Sequence, residues 1–310
     1  MRFFKKARKN EGWLTIAFPG DGIAAASMKR SSSDKPAVAL TAFYPGNESG
    51  LEALGKELQA NKYRCSTLLG GGEYQMLAVE APNVPPEELK TAVRWRLKDM
   101  LDFHVDDATI DVLDIPVDQA AVVRSHSMFV VAARNSVIGK RQNLFAGARI
   151  GLSVIDIPEM AQRNISALLE PQGRGLAMLS FGEDGGLLTV TFQGELYLSR
   201  RIEVSLAQLR ESDGDRKNAS FDKITLELQR SLDHFDRQFH FISVSKLVLA
   251  PSAASGLEEY LSSNLYTPVE TLDLADVFDL DSVPALADAV QQQRFFLTLG
   301  AALRHEETVL

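Results

Sequence analysis

Only one cysteine, Cys65, occurs in 310 residues, so no intramolecular disulfide forms. With no CxxC or His-Cys spacing around it, the lone thiol fits a structural role in a reducing compartment. Long apolar runs are missing as well: the nearest case, Phe295 to Leu303, is about half of the roughly 20 residues that a membrane-spanning helix needs. Glu11, Gly12, Pro19, Gly20 and Asp21 interrupt the stretch after the basic start before an apolar export core develops, so no export signal is expected. Positive charge is scarce. The 33 Lys and Arg against 41 Asp and Glu leave a formal net charge of −8, which argues against a surface that coats nucleic acid. Low-complexity tracts are absent, and the 45% hydrophobic and 24% charged content is that of a globular protein with ample core. At this length the chain forms two domains or one elaborated fold.

The charge is unevenly spread. Arg2, Lys5, Lys6, Arg8 and Lys9 give the first ten residues five bases and no acid, so the rest carries −13, five below the total. From Leu247 to Gln293 there are eight acids and no Lys or Arg.

Trp13 to Phe18 reads as a strand, Pro19-Gly20-Asp21-Gly22 as a tight turn, Ile23 to Met28 as the returning strand and Ala37 to Tyr44 as a third. Leu51, Leu54 and Leu58 share a helical face. Gly70-Gly71-Gly72 suits a junction, Tyr74 to Glu80 a strand, and Pro85-Pro86-Glu87-Glu88 a helix start, with an apolar stripe through Leu89, Val93, Leu97, Met100 and Leu101. Two more strands, Thr109 to Ile115 and Met128 to Ala133, precede a helix ending near Gly147. A helix through Met160, Ile165 and Leu169 follows Pro158. The strand–turn–strand–turn–strand order then returns as Leu176 to Phe181, the turn Gly182 to Gly186, Leu187 to Phe192 and Glu195 to Val204, which repeats the architecture of residues 13–44. Phe221, Ile224, Leu228, Leu232, Phe235 and Phe239 mark a core-packing helix, Lys246 to Ala250 a buried strand, and Leu257 to Leu265 and Gln292 to Arg304 two further helices.

Enzyme signatures are few. His104, His126, His234, His240 and His305 include no HExxH or i,i+4 pair, so no zinc site is expected. No GxSxG is present, and Ser125-His126-Ser127 lies in a strand where neighbours point to opposite faces. There is no GxxxxGK[ST] loop, and Gly173-Arg174-Gly175 lacks a third glycine and precedes a strand. What remains open is a pair of Gly/Asp hairpin turns facing each other across a cleft, each bringing backbone N–H groups to a phosphate.

The runs Met76 to Leu89 (MLAVEAPNVPPEEL) and Ala92 to Asp99 (AVRWRLKD), with Asp102-Phe103, resemble the MshI branch, from MSHA pilus biogenesis, of the PilM-like family of type IV pilus assembly proteins. Phe129 to Arg134 (FVVAAR), Gly151 to Ala161 (GLSVIDIPEMA), Leu228 to Asp233 (LQRSLD) and Leu299 to Arg304 (LGAALR) are similar to segments of that family in the same order, so the resemblance spans about residues 13–304. It implies an α/β, actin-like fold, with two ribonuclease H-like halves around a cleft and an inserted α+β subdomain of the PilM/FtsA type. On that reading residues 1–12 are a basic leader, 13–72 with 147–172 and 292–310 form the first half, 73–146 the insert, and 173–291 the second half.

In PilM-type proteins each half carries an acidic phosphate motif. Here those motifs fall on Ala17-Phe18-Pro19 and Ser180-Phe181-Gly182, and both acids are gone. Ala17 offers no oxygen to a hard cation, Ser180 only a weak one, and Pro19 has no N–H to give a phosphate. The family's glycine-rich adenosine loop is replaced by Ala250-Pro251-Ser252-Ala253. No ATPase activity is therefore expected, and neither magnesium nor ATP is an expected cofactor. Gly20, Asp21, Gly22, Gly182, Gly185 and Gly186 remain as residues of a degenerate nucleotide site or as plain hairpin turns.

The resemblance further implies a cytoplasmic scaffold at the inner membrane that binds the cytoplasmic tail of a PilN-like single-pass membrane protein, alongside other components of the pilus assembly platform, in a groove between the first half and the insert. An ATP-dependent switch is the alternative. Arg94, Trp95 and Arg96 are candidates for a partner-facing surface, since Arg and Trp are favoured at binding hot spots, or else a solvated helix face. Phe3, Phe4, Lys5 and Lys6 either touch anionic lipid or belong to a solvated tail.

Overall fold

The computed structural model describes residues 12–29, 35–117, 126–252 and 254–304. Phe3, Phe4, Lys5, Lys6 and Ala253 lie outside the described residues. In chain order the first part contains β1 (Trp13–Ala17), β2 (Gly22–Lys29), β3 (Ala37–Pro45), α1 (Leu51–Glu57), β4 (Arg64–Leu68), β5 (Tyr74–Glu80), α2 (Pro86–Leu97), β6 (Ala108–Asp114), β7 (Ser127–Arg134), α3 (Asn135–Gly147), β8 (Leu152–Asp156) and α4 (Pro158–Leu169). Then follow β9 (Gly175–Gly182), β10 (Gly185–Phe192), β11 (Glu195–Ile202), α5 (Leu206–Leu209), α6 (Gly214–Gln238), β12 (Val244–Leu249), α7 (Leu257–Asn264), β13 (Val269–Thr271) and α8 (Ala289–Ala302).

These strands form three sheets. The first runs β3-β2-β1-β4-β8 and the second β11-β10-β9-β12-β13. In each, three antiparallel strands lead into two parallel ones, and the first strand of the set sits in the middle. The strand duplication visible in the sequence is thus a duplication of topology. Central position explains the composition of β1 and β9: buried on both faces, they read as near-continuous apolar runs instead of alternating ones. The third sheet, β5-β7-β6, is antiparallel and packs Val79, Ile110 and Val130 against Val93 and Leu97 of α2.

Sequence periodicity extends the second helix to Leu101, but α2 ends at Leu97, and the amides of both Met100 and Leu101 donate to the Leu97 carbonyl in a closing turn. The long helix is more faithful to its pattern. Asp213 caps α6 through the amides of Asp215 and Arg216, and Phe221, Ile224, Leu228 and Phe235 fill the second core at helical spacing.

Two helices join the halves. α8 lies on β1 and β2, whereas α4, grouped with the first sheet by the sequence reading, lies on β9, β10 and β11. They cross where Gly300 meets Ala161: a Cβ at Gly300 would fall 2.1 Å from the Ala161 carbonyl oxygen, so only glycine permits this approach. Asn164 fastens the crossing by donating to the Gly300 carbonyl at 2.9 Å. One apolar cluster accordingly runs from Ala24 and Ala26 on β2 through Phe295 and Leu299 to Met178 and Val248 of the second sheet. Among the described residues no helix is long and apolar enough to cross a membrane.

Candidate functional site: a polar cleft and an apolar groove

The tips of the two duplicated hairpins face each other. Ala17 to Asp21 on one side and Ser180 to Gly185 on the other line a cleft of about 550 Å³, closed behind by Thr298 and Phe296 of α8 and by Ala250 and Pro251. Of the six turn residues singled out in the sequence, Gly20, Asp21, Gly182 and Gly185 line it. Gly22 and Gly186 do not, and each packs under close neighbours. A Cβ on Gly22 would come within 2.3 Å of the Tyr44 carbonyl oxygen, and one on Gly186 within 2.8 Å of the Phe181 ring. Gly185 has φ +109°, a conformation that favours glycine, and it turns the second tip.

The polar groups of the cleft are committed to one another. Ala17, at the end of β1, has no oxygen to offer. The Ser180 hydroxyl donates to Oε1 of Gln162 at 2.5 Å, and the fully buried Gln162 amide donates in turn to the Met178 carbonyl and to Oγ1 of Thr189, both at 2.9 Å. The Pro19 carbonyl accepts the Gly22 N–H, which closes the first turn.

Each of the four arginines at the cleft already has a partner. Arg141 donates to Glu73 at 2.8 Å and stacks on Phe18, and Arg294 pairs with Asp21 at 2.8 Å over the Phe43 ring. Arg210 bonds the Gln293 side chain. Arg201 reaches the carboxylate of Glu159 at 2.9 Å and the hydroxyl of Tyr74 at 2.5 Å, while Tyr74 donates to the other oxygen of Glu159. This triad ties β11, and the α4 that packs on its sheet, to β5 of the insert. Glu159 is only 2% exposed; burial first, and its carboxylate second, push the Tyr74 hydroxyl well above the usual phenol range.

These residues do not fit a magnesium-bound triphosphate. Ala17 and Ser180 supply no carboxylate, Pro19 supplies no N–H, and a phosphate would have to compete with the ion pairs of Arg141, Arg201 and Arg294 and with the Gln293 bond of Arg210.

Two carboxylates cross the cleft. Asp184 accepts the N–H of Gly71 at 2.9 Å, and Glu183 lies against Gly20, where a Cβ would fall 1.9 Å from its Oε2.

The second cavity is different in kind. A groove of about 290 Å³ runs between the first sheet and the insert, walled by Leu152 to Ile155 of β8, by Val131 and Ala133 of β7, and by Ile138 of α3. β8 is the last strand of its sheet and, among the described residues, has no strand partner on its outer edge, whereas the insert presents one face of its sheet, through the cross-strand pairs Thr109–Ala133 and Asp111–Val131. The charged residue in the wall is Asp111, whose carboxylate holds Lys90 at 2.8 Å.

Of the three residues proposed from the sequence as partner-facing, two brace the insert. Arg94 donates to the carbonyls of Val105 at 2.9 Å and Ala108 at 3.2 Å, and Arg96 to the carbonyl of Glu80 at 2.7 Å. Trp95 alone stands out, 77% exposed. None of the three lines the groove or the cleft.

No protein-family model matches the chain, and no curated protein matches it. Among solved structures it is similar to a chain of a PilM–PilN type IV pilus biogenesis complex, at 20% identity and TM-score 0.74, over 96% of this chain and 98% of that one. A Bacteroides thetaiotaomicron protein with an actin-like ATPase fold and unknown function aligns over 93% of this chain and 100% of its own, at 9% identity and TM-score 0.51. The fold is actin-like.

In an actin-like frame the two five-stranded sheets are the paired halves, and the cleft between their hairpin tips is where that fold brings its two turns together. Sequence reasoning located the turns. It missed Glu159, Gln162 and Arg201, which carry no local motif, and it passed over Glu183-Asp184, whose signal was two adjacent acids in a glycine-flanked turn opposite another glycine turn.

Proposed function

We propose that the chain is a non-enzymatic, actin-like scaffold of a type IV pilus assembly platform of the MSHA (MshI) type, acting in the cytoplasm at the inner membrane. It binds the short cytoplasmic tail of a PilN-like single-pass membrane protein and, through it, joins the other platform components. The observation that carries this reading is the groove: apolar side chains beside the open edge of β8 suit an extended peptide, which gains main-chain hydrogen bonds from an edge and specificity from pockets. The likeness to a chain of a PilM–PilN complex over 96% of the sequence supports the same reading.

The nucleotide site is degenerate on this account, since Ser180, Asp21 and each of the four cleft arginines already hold a partner. The basic leader adds a contact with anionic lipid. Calorimetric titration of the full chain with a synthetic peptide of the PilN-like partner's cytoplasmic tail is the test: saturable one-to-one binding is expected, and no heat at millimolar peptide overturns the assignment.

The second reading, an ATP-driven switch, is favoured by the facing hairpin tips and the size of the cleft. A magnesium-dependent rise in melting temperature with ATP would select it.

A further inference from the structure

Three successive amides between the cleft and the groove each have an acceptor from a different source. Leu69 donates to the Asp156 carbonyl of β8 at 2.9 Å, Gly70 to the Glu73 carboxylate at 2.8 Å, and Gly71 to the Asp184 carboxylate at 2.9 Å. The first two bonds stay within the first sheet and its exit toward the insert; the third spans 113 positions of sequence and reaches the other half of the molecule. Leu69 lines both cavities, so this short segment is their common wall. Leu69 is buried against Tyr74, Ala133 and Ile157, whereas Gly70 and Gly71 bring no side chain to pack, so the glycine end of the segment is placed by these bonds.

We propose that the Glu183-Asp184 turn is an internal anionic latch: the Asp184 carboxylate holds the Gly71 end of the Leu69–Gly71 strap from across the cleft and thereby steadies the wall that the strap shares with the groove. The chemistry is that of a carboxylate on backbone N–H groups of a glycine turn, the interaction an anion would make there, supplied by the chain itself. Asp184 bonds the second half to the Gly70–Gly71 turn of the first, and Glu183 packs against a second glycine turn at Gly20. Losing one such bond frees the strap locally while leaving the sheets intact, because Asp184 is an exposed turn residue with no part in either core.

Hydrogen exchange of the full chain tests this. In Asp184→Ala the amides of residues 69–72 should exchange about tenfold faster, the scale expected for loss of one charge-assisted hydrogen bond, with β9, β10 and α6 protected as before. Asp184→Asn, which keeps an acceptor oxygen, should fall between wild type and Asp184→Ala. Gly71→Ala approaches the same contact from the other side, since its Cβ would lie 3.0 Å from Cβ of Asp184, and it should raise exchange in the same segment. Asp233→Ala, at an exposed acid of α6 that lines neither cavity, should not. Unchanged exchange of residues 69–72 in Asp184→Ala, or a rise spread evenly over the whole chain, overturns the latch.

Discussion

The cleft and the groove have opposite chemistry. The cleft is larger and lined by more charged side chains, and its four arginines, Ser180, Asp21 and Asp184 are each bonded across elements. The groove is smaller, its one charged residue is Asp111, and it is bordered by the edge of β8, which has no strand partner among the described residues. A cavity whose polar groups satisfy each other behaves as part of the core: its bonds hold the halves and the insert together. A cavity that leaves backbone edges and apolar surface unpaired is the one that gains by taking up a partner. In this molecule, volume and polarity point toward the cleft, but unsatisfied bonding capacity points toward the groove.

The comparison is broken most severely by disturbing the helix crossing behind the cleft. Gly300→Ala puts a methyl 2.1 Å from the Ala161 carbonyl oxygen and should cost about 3 kcal/mol by overpacking. Gly139→Ala on α3, where a Cβ meets nothing within 4 Å, should instead stabilise by about 0.5 to 1 kcal/mol from helix propensity. Urea unfolding of the two variants reads opposite signs.

β4 lies between β1, at the cleft, and β8, at the groove, and Cys65 sits buried within it. Burial pushes its thiol up to about 11, so the folded chain keeps the proton that the unfolded chain releases near pH 9. Stability from this group is full below about pH 9 and is lost as pH rises toward 11, by about 2 to 3 kcal/mol over those two pH units. The stability gap between wild type and Cys65→Ala should therefore narrow by that amount in denaturant titrations at pH 8 and pH 11.

Removing a cleft base tests whether its pairing is structural. Arg201→Met leaves the Glu159 carboxylate buried beside Tyr74 and should cost about 2 kcal/mol, the usual penalty for breaking a buried pair reduced because the Arg201 side chain is 36% exposed. A variant as stable as wild type would show that the triad does not brace the three elements.

Ser153 on β8 is exposed and lines the groove. Filling the groove with Ser153→Trp should weaken tail-peptide binding at least tenfold, about 1.4 kcal/mol, with the melting temperature little changed. The smallest effect belongs to the nucleotide. Millimolar Mg-ATP should leave the melting temperature of wild type where it was, whereas binding at 100 times Kd would add about 2.7 kcal/mol.

How much of this was legible in the sequence depended on how local each feature is. The β1–β2 and β9–β10 hairpins were readable because glycine and aspartate turns sit between apolar runs that pair with their immediate neighbours. β4, β8 and β13 were not, being short parallel strands without alternation whose partners lie far away in sequence. Thr15 and Ser66, bonded side chain to side chain on β1 and β4 at 2.8 Å, are 51 residues apart. The turn glycines of the cleft were legible for the same local reason, and the missing acids at Ala17 and Ser180 only once a family pattern had been laid over the chain. The Tyr74–Glu159–Arg201 triad had no signal, since its members stand on three elements and meet only in the folded molecule. Arg94 and Arg96 looked like surface contacts from helical spacing, yet their guanidinium groups turn back onto backbone carbonyls of the insert.

The central claim is that this actin-like chain works through its groove and not through nucleotide in its cleft. The most direct measurement is calorimetric titration of the full-length wild type and Ser153→Trp with the PilN-like tail peptide, each with and without millimolar Mg-ATP. The account predicts saturable binding to wild type with the same affinity in both conditions, and at least tenfold weaker binding to Ser153→Trp. Binding that needs Mg-ATP, or that Ser153→Trp leaves intact, would contradict it.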